Sequence, residues 1–72
     1  MIEALRELYK AQISVAKVKI DVYLKSPVGI GDHSSLVEAV DAQVEIMAEA
    51  EDKLDVLDKH NYWEEKENTL PF

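Results

Sequence analysis

The chain has 72 residues, no cysteine and a net charge of -7, from 15 acids against eight bases. That length makes one domain at most and leaves little chain for a core, while the missing cysteine rules out disulfides and thiolate metal sites. The acidity argues against a general nucleic-acid binder, which needs a basic surface. Chains this small usually make up the shortfall with a metal or with a second subunit, so a homo-oligomer is the leading expectation. The longest apolar runs are only a few residues, too short to span a bilayer. The start, Met1-Ile2-Glu3-Ala4-Leu5-Arg6, lacks the basic-then-apolar layout of a signal peptide. These features predict a soluble, cytoplasmic protein with no membrane partner and no direct nucleic-acid partner.

The first predicted element is a helix over residues 2–25. At 100° per residue its apolar side chains form two groups. One is Ile2, Leu5, Tyr9, Ile13, Ala16, Ile20 and Tyr23, with Leu24 at its margin; the other is Ala4, Leu8, Ala11, Val15, Val18 and Val22. Gln12 and Lys19 lie between them, and Glu3, Glu7, Lys10, Ser14, Lys17, Asp21 and Lys25 fill the remaining arc. An ordinary surface helix carries one apolar stripe somewhat over 100° wide, whereas these groups together span roughly two-thirds of the circumference. A single partner helix covers only one of them. Leu8, Ala11, Val15, Val18 and Val22 are therefore the expected oligomer interface. Val15, Val18, Ile20 and Val22 are β-branched, but the segment lacks the strict alternation of a strand and continues the helical period.

The helix must stop near Lys25. Pro27 disfavours the helical conformation at Ser26 and cannot continue the hydrogen-bond ladder. The loop over residues 26–33 holds both glycines of the chain, Gly29 and Gly31, whose permissive backbone suits a reversal. Val28 and Ile30 are apolar in this turn-like stretch, and one of them is expected to close the end of the hairpin.

The second helix is expected over residues 34–60. Ser35-Leu36-Val37-Glu38 fits a capping box, with Asp32 or Ser34 as alternative caps. Leu36, Val40, Gln43, Met47, Ala50, Leu54 and Leu57 are spaced 4, 3, 4, 3, 4, 3, the pattern of a helix-packing seam. Val37 and Val44 widen it on one side, and Ala39, Ile46 and Ala50 on the other. Gln43 is its one polar member and would either fix register or sit at an open edge. Residues 1–25 carry a net +2 and residues 32–60 a net -7, so folding one onto the other brings opposite charges together. Residues 61–72 form an acidic, aromatic tail containing Tyr62, Trp63, Glu64, Glu65 and Glu67 and ending Leu70-Pro71-Phe72.

Several groups could carry chemistry. Glu38, Asp41, Glu45, Glu49 and Asp52 share one face of the second helix, where oxygen ligands suit Mg²⁺ or Ca²⁺. Two pairs, Glu38-x-x-Asp41 and Glu49-x-x-Asp52, resemble the E-x-x-D element of all-α nucleotide pyrophosphohydrolases. Such enzymes need facing carboxylates from another helix, and the first helix offers only Glu3, Glu7 and Asp21 on its polar arc. A solvated acidic face is the simpler reading. Pro27, Gly29 and Gly31 mark a loop whose amides suit an anion, but no Lys stands at a phosphate-loop position and Asp32 repels one. His33 and His60 lie roughly 40 Å apart along a helix and form no intrachain site. The terminal Leu70-Pro71-Phe72 resembles sliding-clamp-binding peptides, with Pro71 where those prefer an aliphatic, and is a candidate partner-binding segment.

The run from Tyr23 to His33, Tyr-Leu-Lys-Ser-Pro-Val-Gly-Ile-Gly-Asp-His, precedes an acidic amphipathic helix that ends Ala50-Glu51-Asp52-Lys53-Leu54. This layout is similar to small open reading frames of tailed marine bacteriophages. The resemblance implies a phage-derived setting in a bacterial cytoplasm, with a host or phage protein as partner, and transfers no functional residues. The expected fold is all-α: an antiparallel two-helix hairpin over residues 1–60 that self-associates, most simply as a dimeric four-helix bundle. The expected function is non-enzymatic protein–protein interaction, with no catalytic residue, no metal ligand and no cofactor. A metal-dependent nucleotide hydrolase on the acidic face and an anion-sequestering protein at the glycine loop are the alternatives.

Overall fold

A computed structural model describes residues 1–26 and 33–60. Pro27, Val28, Gly29, Ile30, Gly31 and Asp32 of the loop, and the tail with Leu70, Pro71 and Phe72, lie outside the described residues. Two helices make up the described chain: α1 spans Ile2–Lys25 and α2 spans His33–Lys59. No strand is present among the described residues.

The local chemistry explains both ends of α1. The Leu5 amide donates to the Met1 carbonyl at 3.1 Å and opens the helical ladder. At the other end the Ser26 amide donates to the Val22 carbonyl at 2.8 Å, and Pro27 follows, with no amide hydrogen to extend the ladder. Lys25 in the last turn complements the negative end of the helix dipole. α2 begins at His33, two residues ahead of Ser35, so the Ser35–Glu38 capping box is interior to the helix rather than its start. Asp32 and Ser34 are N-cap residue types as well, and only the glutamate three residues on singles out Ser35 in the sequence. The last ladder bond of α2 runs from the His60 amide to the Val56 carbonyl, at 3.1 Å.

The helices pack antiparallel. Arg6 Nη1 of α1 lies 2.5 Å from Asp58 Oδ1 of α2, and Lys53 Nζ stands 5.4 Å from the centroid of the Tyr9 ring. The start of α1 thus meets the end of α2. Between them the seam follows the 4-3 spacing of α2: Gln43, Ala50 and Leu57 are buried, while Leu36, Val40, Met47 and Leu54 are half-buried. From α1 the seam takes Ala16, which is buried, and Ile2, Leu5, Tyr9, Ile13, Ile20 and Tyr23, which are half-buried. Among the described residues no large side chain is fully buried. Two helices meet along one line, so the larger seam residues keep an edge in water while only small ones such as Ala16 and Ala50 are closed off. The seam is a contact strip rather than an enclosed core.

Candidate functional site

The feature of the surface that the seam leaves unexplained is the back of α1. Ala4, Leu8, Ala11, Val15, Val18 and Val22 are all exposed. The larger ones show between 49% (Leu8) and 61% (Val18) of their surface. Their common direction follows from helical geometry: at 100° per residue they lie about 140° round α1 from the seam. The α-helix brings Leu8, Ala11, Val15, Val18 and Val22 together because their spacings are 3, 4, 3 and 4.

This apolar band continues into the hairpin on one flank. An open groove of about 440 Å³ runs between the helices, lined from α1 by Ala11, Gln12, Val15, Ala16 and Lys19 and from α2 by Gln43, Ile46, Glu49 and Lys53. Ile46 is 41% exposed and forms the apolar wall that α2 contributes. Gln43 is buried at 9% exposure and opens on this groove. No buried side-chain nitrogen or oxygen among the described residues lacks a hydrogen-bond partner. The polar seam position is therefore buried at the border of the groove without leaving an orphaned amide. The opposite flank carries a shorter apolar set, Leu24, Val37 and Val44, all exposed and all in the half of the hairpin nearer the loop.

Electrostatics divide the two helices. α1 carries five bases against three acids, a net +2, and α2 carries eight acids against two lysines, a net -6. On α2, Glu38, Asp41, Glu45, Glu49 and Asp52 are exposed, as is each remaining acid of the helix. Ala48, Glu49, Glu51, Asp52 and Asp55 border a second, shallow depression on its outer side. Among the described residues no three His, Asp or Glu side chains converge as a cation-binding group. The carboxylates expected to face them from α1, Glu3, Glu7 and Asp21, are exposed too. Part of the acidity is neutralised within the helix: Lys59 Nζ lies 2.8 Å from Asp55 Oδ2. The hydrogen bond to Asp55, then its charge, raises the Lys59 ammonium above its ordinary value. On α1, Lys10 and Glu7 form a looser pair at 3.9 Å.

Two cross-helix contacts were not foreseen from sequence. Arg6 falls on the polar margin of the first apolar group, where a long side chain reaches the facing helix, and Asp58 is the acid opposite it. Lys53 lies beside the seam of α2, and its ammonium takes the face of the Tyr9 ring. The usable signal was position at a seam margin, where long cations cover apolar surface and keep their charge near water. Tyr9 and Tyr23 are half-buried at the seam, with the first apolar group of α1. Neither described helix is long and apolar enough to cross a membrane. No family model, curated protein or solved structure matches this chain.

Proposed function

We propose that the protein is a non-enzymatic interaction protein that works as a self-associated helical bundle, a dimer of hairpins in its simplest form. One observation supports the reading above the others: Leu8, Val15, Val18 and Val22 form a regularly spaced apolar band on a helix whose other face is already used. A contiguous exposed patch of this kind marks an association surface rather than ordinary scatter of apolar residues. The hairpin on its own encloses no fully buried large side chain among its described residues, and a second copy would supply the missing shielding. The acidic outer face of α2 remains available for a partner with a basic surface, by charge complementarity. A cytoplasmic setting, a host or phage protein as partner and an accessory role of the phage type belong to the same proposal.

Light scattering at low micromolar concentration tests the self-association. A dimer or larger closed oligomer is expected, and a well-folded monomer at that concentration overturns the reading. Capture with the full chain from a bacterial lysate, repeated in 0.5 M salt, tests the partner-binding half. Capture lost at high salt is the expected result for an acidic docking face.

A further inference from the structure

We infer that a second copy of this chain seats on the groove flank so that α1 of each copy lies beside α2 of the other, with the two-fold axis parallel to the helices. The inference rests on the self-association proposed above and adds its geometry. Two observations carry it.

The first is where the apolar surface lies. Of the exposed band on α1, Val15 and Ala11 line the groove, and Ile46 lines it from α2. Helical phase puts Leu8 and Val22 on the same side of α1 as Val15, each within about 20° of it. Together they extend the apolar strip along most of α1. The opposite flank has its exposed apolar residues, Leu24, Val37 and Val44, only toward the loop end, and its other end carries the Arg6–Asp58 ion pair. The groove flank is the one able to take a whole helix.

The second observation is charge. Groove flank against groove flank can be joined in two ways. With the axis perpendicular to the helices, α1 meets α1 and α2 meets α2, which sets a helix of net -6 against its own copy. With the axis parallel, each α1, net +2, is flanked by two α2 helices, one from each copy. All four neighbouring pairs in that ring are antiparallel and opposite in charge. Neighbouring helices are antiparallel in the perpendicular arrangement too, so it is the side-chain charges that favour the parallel axis. Rotation about a parallel axis leaves axial height unchanged, so the register between copies repeats the register within the hairpin. Val15 would lie near Ile46 of the second copy, and Lys19 would face the rim formed by Glu45 and Glu49 of that copy. Val18 points farthest from the seam and falls at the edge of this interface.

The chain has no cysteine, which makes disulfide trapping clean. Val15→Cys and Ile46→Cys are each made alone in the full chain, mixed by refolding, and oxidised with diamide. The mixture is expected to give covalent dimer severalfold above either variant alone. Covalent dimer from Val15→Cys alone, with no gain on mixing, overturns the parallel-axis arrangement while leaving self-association standing. A monomer by light scattering before oxidation overturns the underlying reading instead. Aspartate substitutions provide an independent readout in unmodified buffer. Val15→Asp should weaken the dimer about tenfold or more, since it buries an unpaired charge. Val18→Asp and Val44→Asp should weaken it much less, by roughly threefold or under. A Val18 or Val44 effect equal to that of Val15 overturns the arrangement. The cysteine variants are conservative replacements at exposed positions, so they report even where an aspartate variant loses helicity.

Discussion

Ala16 and Val15 are neighbours in sequence and opposites in structure. Ala16 is 1% exposed at the seam, and Val15, the larger and more apolar side chain, is 53% exposed on the groove flank. The same holds along the whole of α1. Its seam group is half-buried or buried, and its second apolar group is open throughout. α2 shows no such division: its buried residues follow one 4-3 line, and beyond it lie single exposed residues such as Val56 among carboxylates. The difference shows that hydrophobicity alone does not choose what is buried in a two-helix unit. A lone partner helix offers one line of contact, and residues more than about a third of a turn from it remain in water whatever their chemistry.

The seam side of this comparison is the more easily broken. Ala16 and Ala50 are its most deeply buried residues, and their small size is what lets the helices approach. Ala50→Leu inserts three carbons where there is no room, which costs about 1–3 kcal/mol. A domain this small holds only about 3–5 kcal/mol in total. Urea unfolding followed by circular dichroism should show the midpoint fall by a large fraction of its value. An unchanged midpoint would mean that the seam is looser than described.

Val15→Ser probes the open side, and its expected signature is different. The substitution removes apolar surface that the hairpin itself does not bury, so helicity at high protein concentration should be kept. What should shrink is the dependence of the melting temperature on protein concentration, because that dependence measures binding of one folded copy to another. A drop in melting temperature equal at all concentrations would place Val15 inside the hairpin and erase the contrast with Ala16.

How much of this was legible beforehand differs between the two sides. The seven positions read from the 4-3 spacing of the second helix all lie at the seam, and so does the first apolar group of α1. The spacing rule works because the helix period is fixed by backbone geometry. Less legible was the fate of the flanking residues. Val37, Val44 and Ile46 were expected to widen the seam, yet each is exposed. One-dimensional periodicity says which residues share a face but not how far round the partner helix reaches. Gln43 illustrates the same gap, since its burial depends on which side of the seam the groove opens. The start of α2 at His33 lies one residue before the expected position 34, within a stretch where Asp32, Ser34 and Ser35 are all residue types that cap helices.

The Arg6–Asp58 pair sharpens the antiparallel register at a smaller scale. Arg6 is 15% exposed and Asp58 65%, so one partner is largely shielded and the other is screened by solvent. Exposed ion pairs contribute about 0.2–1 kcal/mol. Arg6→Ala should cost an amount in the upper part of that range, since it also removes stem packing. A double-mutant cycle with Asp58→Asn should return a coupling of the same small size, reduced in 0.5 M salt. Zero coupling at low salt would leave the register resting on packing alone.

Smaller still is the Lys59–Asp55 pair, which lies within α2. Its folded-state ammonium value is raised, so its contribution is fully present at neutral pH and fades only as pH rises above the ordinary lysine range, near 10.4, and through the folded value. Helicity should be flat from pH 6 to 9 on this account, and Lys59→Gln should remove only a slight alkaline step. A neutral-pH transition would require a group other than Lys59.

The smallest expected effect is that of magnesium. The acids of α2 are spread along an exposed helix, and no three of the described carboxylates or histidines converge. A hard divalent ion needs several oxygens gathered at once, and Mg²⁺ gives up its water reluctantly. Millimolar Mg²⁺ should therefore do little beyond screening, a shift of melting temperature matched by the same ionic strength of NaCl. A shift well above the salt control, saturating with Mg²⁺ and lost in Glu49→Gln or Asp52→Asn, would turn the acidic side of the molecule from a charged partner for α1 into a metal site. That outcome would also remove the charge argument for the parallel-axis dimer, because bound cations would cancel the negative charge that keeps two copies of α2 apart.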